Sequence, residues 1–156
     1  MVQSLIQVIY VGGGEPGLRE YEIATLLKQA RIANRKHNVS GLLLYIGGYF
    51  LQSFEGEPRM IDVVCSTLFR DKPRMWVKRI VQEPIVERQF PEWTMGFATI
   101  DSGEAGQLLG DETLFQSTPV LTHLTADGAK TLISIFGQRR YQSDRSGMFK
   151  AIRRPA

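Results

Sequence analysis

Val39 to Glu57 reads VSGLLLYIGGYFLQSFEGE. Two runs rich in aliphatic and aromatic residues flank Gly47-Gly48, a pattern that signals a β-hairpin. If Tyr49 to Phe54 is extended, Phe50, Gln52 and Phe54 share one face and Tyr49, Leu51 and Ser53 the other. Gln52 then points between two phenylalanines. An amide buried there without partners costs about 1–3 kcal/mol per unmet group. Another side chain, a water or a ligand should therefore meet it.

Working outward, Leu5 to Val11 reads as a strand with Ile6, Val8 and Tyr10 on one face, ended by the glycine-rich turn GGGEPG. From Leu18 to Arg35, apolar residues recur at helical spacing (Ile23, Leu26, Leu27, Ala30) with charged residues between them. After the hairpin, Glu57-Pro58 opens a second helix, its proline suited to the first turn, and RDKP closes it near Asp71. Trp76 to Val86 and Trp93 to Ile100 read as two more strands, joined by ERQFPE. The order βαββαββ predicts an α+β fold: a ferredoxin-like mixed sheet with two helices on one face. A short helix over Glu104 to Gly110 and another over Asp127 to Gly137, carrying Leu132, Ile133 and Phe136, are expected to cover the other face or to pair protomers. The expected organisation is a domain over 1–101 followed by a helical extension with a basic tail over 102–156.

Composition removes several classes of function. The 156 residues, 43% hydrophobic, suit one domain with a substantial core. The N-terminus has no basic segment followed by an apolar run, and no stretch approaches the roughly 20 apolar residues of a membrane span. A cytoplasmic protein without membrane contact is expected. The lone Cys65 shares a helix face with Ile61, Val64 and Leu68 and reads as a packed thiol. His37 and His123 form no metal-ligand spacing with it or with each other. Net charge is +3, but from Arg139 onward six Lys/Arg face one Asp, so the preceding residues are slightly acidic. A nucleic-acid footprint is therefore confined to the tail, which reads instead as a solvated or partner-docking segment. Gly12, Gly14 and Gly17 satisfy G-x-G-x-x-G, but LLLYIGGYF offers no acidic residue for a ribose, and a flexible turn is the simpler reading. No Gly-x-Ser-x-Gly elbow is present, and no serine or cysteine has a histidine partner that would suggest hydrolysis.

A set of polar residues is aimed at the core. Asn34 shares the sheet-facing edge of the first helix with Leu27 and Ala30, Tyr10 ends an apolar strand face, and Gln52 interrupts another. Trp93 and Met95 alternate onto one face of the last strand, with Thr99 further along. On periodicity alone this is either a structural hydrogen-bond cluster or a ligand site.

The strand tyrosine of IQVIYVG, the helix end ARIANRKHNVSGLLLY, and then FLQSFEGE, LFRDKPR and FPEWTM, in this order and spacing, resemble the BLUF family, the sensors of blue light using FAD. The resemblance covers Ser4 to Ile100. It implies noncovalent FAD, its ring between the two helices and its edge against the sheet. Tyr10 would donate an electron and a proton, and Gln52 would be the switch, bonded to both Tyr10 and the ring edge. Asn34 would bind the carbonyl edge, with Arg31 and Lys28 towards the ribityl-phosphate chain and Asp71 and Arg74 at the end of the second helix. Pro73 departs from the family's usual basic pair there. Trp93 and Met95 would relay the change into the last strand and the C-terminal helices. The resemblance implies photosensory signalling without substrate turnover, a downstream effector protein as partner, and a homo-oligomer. The alternative is a flavin- or dinucleotide-dependent redox enzyme using the same pocket.

Overall fold

Gly47 and Gly48 adopt φ of 54° and 92°, so both central residues of the turn are left-handed, and its twist matches the flanking strands. In the computed structural model, which describes residues 4–14, 17–115, 124–145 and 152–153, this turn joins β2 (Ser40–Ile46) to β3 (Tyr49–Gly56). β1 (Leu5–Gly14) runs antiparallel to β3, with Tyr10 opposite Gln52, and antiparallel to β4 (Met75–Ile85) on its other side. β5 (Trp93–Ile100) lies parallel to β2, and the two-residue β6 (Ile152–Arg153) pairs with the outer edge of β5. The sheet order is β4-β1-β3-β2-β5-β6. The expected ferredoxin-like α+β fold is the one present.

Two sequence expectations need correction. The glycine-rich segment does not end the first strand at Val11: Gly12, Gly13 and Gly14 stay in β1, opposite Val77, Trp76 and Met75. They are glycines because neighbours crowd them; a Cβ on Gly12 would stand 2.2 Å from the Phe50 ring. These residues lie within a paired strand, so they are no phosphate-binding loop; Glu15 and Pro16 lie outside the described residues. The last long helix was expected to stop at Gly137, glycine being a common helix terminator. It continues to Arg145, because Gly137 serves as a notch for the Phe90 ring.

α1 (Glu20–His37) and α2 (Pro58–Phe69) cover one face of the sheet. The Glu22 carboxylate accepts the Arg19 N–H at 3.1 Å, and α1 ends at Asn38, left-handed with φ 55°. Acidic residues in its first turn and Arg35, Lys36 and His37 in its last complement the helix dipole. Pro58 stands in the first turn of α2, where its missing N–H costs nothing. α2 buries Ile61, Val64, Cys65 and Leu68.

The opposite face is closed by α3 (Ser102–Leu108) and α4 (Ala126–Arg145). Ala129, Leu132, Ile133 and Phe136, at helical spacing on α4, are all buried there. Alternate residues of each strand feed the two cores: Val8 and Tyr10 face the α1–α2 pair, whereas Ile9 and Val11 face α4. Of the basic tail, the backbone is described through Arg145 and again at Ile152–Arg153; the rest, like His123, lies outside the described residues. Among the described residues, no helix is long and apolar enough to cross a membrane, and no cluster of His, Cys, Asp or Glu could hold a metal.

Candidate functional site

The strand register places Tyr10 and Gln52 as cross-strand neighbours on the face under α1 and α2. Gln52 is fully buried and its Nε2 lies 4.0 Å from Met95 Sδ, a weak acceptor. Asn34, also fully buried near the end of α1, donates from Nδ2 to the Thr94 carbonyl at 2.6 Å. One turn earlier, Arg31 donates from Nε to the Met95 carbonyl at 3.0 Å. The α1 side chains thereby hold the start of β5. Asn34 Oδ1, Gln52 Oε1 and Thr94 Oγ1 are buried without a hydrogen-bond partner among the described residues.

Tyr10 is 8% exposed. Phe69 tilts against it with centroids 5.1 Å apart, and Phe54 meets it edge-on at 6.1 Å. Burial pushes the phenol pKa up, the neighbouring Cys65 adds to this, and Arg79 pulls the other way. The Cys65 thiol, beside Tyr10, is itself pushed up to about 12, chiefly by burial. It is a neutral packed group, as its helical position suggested.

Tyr10, Gln52, Asn34 and Met95 therefore come together, with Arg31 joined through the Met95 backbone. Lys28 does not reach them: it is exposed, beside an open groove of about 450 Å³ shared with Leu27, Arg31, Ile32 and Arg35. Asp71, exposed and left-handed with φ 56°, follows α2. Arg74 pairs with Glu22 at 3.3 Å and lines a cavity of about 260 Å³ with Tyr21, Thr25, Lys72 and Met75.

Trp93 and Met95 do not share a face, contrary to strict alternation. Met95 and Phe97 pack beneath the α1–α2 pair, whereas Trp93 is fully buried in the core under α4, stacked on Phe90 at 5.6 Å and 5°. Regular geometry begins only after Thr94. The carbonyls of Thr94 and Met95 both accept from α1, although successive carbonyls of a regular strand point to opposite edges. A register shift against β6 falls at the same place. Thr94 and Arg79 are the site neighbours that the sequence patterns did not single out. Thr94 bonds through its backbone, which carries no side-chain signal, and Arg79 reaches Tyr10 through an irregularity in β4.

The family of sensors of blue light using FAD matches residues 5–96. Subunit beta of a photoactivated adenylate cyclase from Euglena longa is 30% identical over 98 residues, which are 62% of this chain and 11% of that protein. The chain thus spans a small part of that relative's length. The dark-state structure of BlrB, a BLUF protein, is 26% identical, with a TM-score of 0.56, covering 84% of this chain and 99% of that one. BlsA in its photo-activated state has a TM-score of 0.67 at 21% identity, covering 83% and 91%, a likeness of fold. With the family match extending from β1 into β5, which carries Met95, the chain belongs to the BLUF family of flavin-based blue-light sensors.

Proposed function

We propose that this chain binds FAD noncovalently between α1 and α2 and converts blue light into a hydrogen-bond rearrangement centred on Gln52. The carrying observation is the pair of buried amide oxygens, Asn34 Oδ1 and Gln52 Oε1, without partners among the described residues. A fully buried orphan acceptor is costly, and a flavin ring edge offers an N–H donor and carbonyls that complement two amides. The residues present fit that group. Asn34 would orient the ring, Arg31, Lys28 and Arg74 would face the phosphate chain, and Asp71 would stand near the second helix's end.

Bound flavin supplies blue-light absorption and, when excited, a strong one-electron acceptor. Tyr10 gives up one electron and its Oη proton. Gln52 then rotates or tautomerises, exchanging donor and acceptor positions between the site and Met95. Sulfur accepts only weakly, so the Nε2 contact to Met95 Sδ restrains the amide lightly. Any shift at Met95 bears on backbone that Asn34 and Arg31 already grip, and through Trp93 on the face under α4. In this reading residues 1–101 form the sensor and 102–156 the output element. The output passes to an effector protein that binds the two light states unequally, from a cytoplasmic homo-oligomer.

Purified protein saturated with FAD should be yellow and show a small reversible red shift under blue light. Tyr10→Phe and Gln52→Leu should each keep bound flavin and lose the normal photocycle. A colourless protein, or an unaltered red shift in either variant, defeats the proposal.

A further inference from the structure

β1 and β4 pair residue for residue from Leu5 opposite Ile85 to Ile9 opposite Val81, and then the register slips so that Tyr10 stands opposite Arg79. Ile80 is the extra residue, a β-bulge, and it packs towards the α4 side like Val81. In unbroken register, Tyr10 would face Ile80, and Arg79 would come opposite Val11, whose side chain is wholly buried in the α4 core. The bulge re-aims the arginine. Its guanidinium carbon lies 5.6 Å from the centroid of the Tyr10 ring, and the Gln82 side-chain oxygen accepts from its Nη1 and steadies it. The other titratable group at the phenol is Cys65 on α2, which stays a neutral thiol; Asp62 acts on that thiol. Arg79 is thus the charge that Tyr10 meets among the described residues.

We propose that Arg79 is a positioning residue for the photochemistry, its cation over the ring face setting how readily Tyr10 gives up an electron. This rests on the reading of Tyr10 as donor. Removing an electron makes the ring more positive, forfeiting the attraction between the cation and the ring's negative face. Forward transfer is slowed and the return favoured. One electron and the Oη proton leave Tyr10 for the excited flavin and both come back in the dark, so no other oxidant or reductant takes part.

The full chain with FAD, and the same chain freed of flavin, test this through Arg79→Gln and Arg79→Lys. With FAD, Arg79→Gln should shorten the flavin fluorescence decay by about two- to fivefold, and Arg79→Lys should restore it. Without flavin, tyrosinate absorbance referenced to Tyr10→Phe should show Tyr10 ionising about half a pH unit higher in Arg79→Gln but not in Arg79→Lys. The proposal falls if Arg79→Gln leaves both readouts unaltered while Tyr10→Phe lengthens the decay. It also falls if Arg79→Lys behaves like Arg79→Gln, because packing would then be the cause. If Tyr10→Phe leaves the decay unaltered, the donor reading itself fails and this inference goes with it.

Discussion

Glu55 lies three residues beyond Gln52 on β3, 1% exposed, with its carboxylate turned into the sheet's end. It accepts the backbone N–H groups of Gln89 and Phe90 and, at 3.1 Å, the Ser40 hydroxyl. Arg88 braces the same corner, donating to Ser40 Oγ at 2.8 Å and to the Glu55 and Asn38 carbonyls. The loop that leads into β5 is thereby fastened to β3. Burial is the largest influence on this carboxyl and raises its pKa above the ordinary 4.5, although the donors and Arg88 pull it back. Between 4.5 and the raised native value the folded chain holds a proton that the unfolded chain releases. The group's contribution to stability is therefore complete below 4.5 and lost as pH rises through the native pKa. Urea unfolding across pH 4 to 8 should show that decline in the native protein and not in Glu55→Gln. The amide should also cost about 1–3 kcal/mol, because it sets an N–H against one of the loop's own N–H donors. If native stability instead rises with pH relative to the variant, the donors outweigh burial.

At the scale of elements, the same loop is wedged into α4. Phe90 stacks on Trp93, and its ring fills the space over Gly137, where a Cβ would stand 2.4 Å from it. Gly137→Ala should improve intrinsic helix propensity by about 1 kcal/mol, which the roughly 1–3 kcal/mol cost of overpacking offsets, leaving a net destabilisation of up to about 2 kcal/mol. Repeating it in a Phe90→Leu background, followed by urea unfolding and near-ultraviolet circular dichroism, should show a smaller penalty; an equal one would place the strain elsewhere. This notch also explains what the sequence made legible. The hairpin, the helix pair and the strand order follow from periodicities of two and 3.6 residues and from Gly47-Gly48, all local properties. Tyr10, Gln52, Asn34 and Met95 were readable because each is a polar or sulfur-bearing residue on an apolar face of a regular element. Gly137 looked like a helix end, Trp93 like a neighbour of Met95, and Arg79 carried no signal, because each depends on a partner element: the Phe90 ring, the grip of α1 on β5, and the bulge at Ile80. Lys28 was readable as a helical cation near Arg31, and the two line one groove beside α1.

On the scale of the whole molecule, one sheet separates two cores and belongs to both. β1 gives Tyr10 to the α1–α2 side and Ile9 to the α4 side; β2 gives Leu43 and Leu42; β3 gives Phe50 and Leu51; β5 gives Met95 and Ala98. A strand cannot leave one core and remain packed in the other, so loss of α4 contacts should be felt at the α1–α2 side. Leu132 tests this coupling without touching the site, since it is fully buried on α4 against the far face. Leu132→Ala should destabilise the chain by about 2–5 kcal/mol. With FAD bound, the urea midpoint for tryptophan emission, which reports Trp76 and Trp93 on the α4 side, should fall by the same amount as the midpoint for flavin release. Coincident transitions that move together mark one cooperative unit. If tryptophan emission shifts while flavin release stays in place, the faces unfold separately, and the sheet could not by itself carry a change at Met95 to the helix behind it.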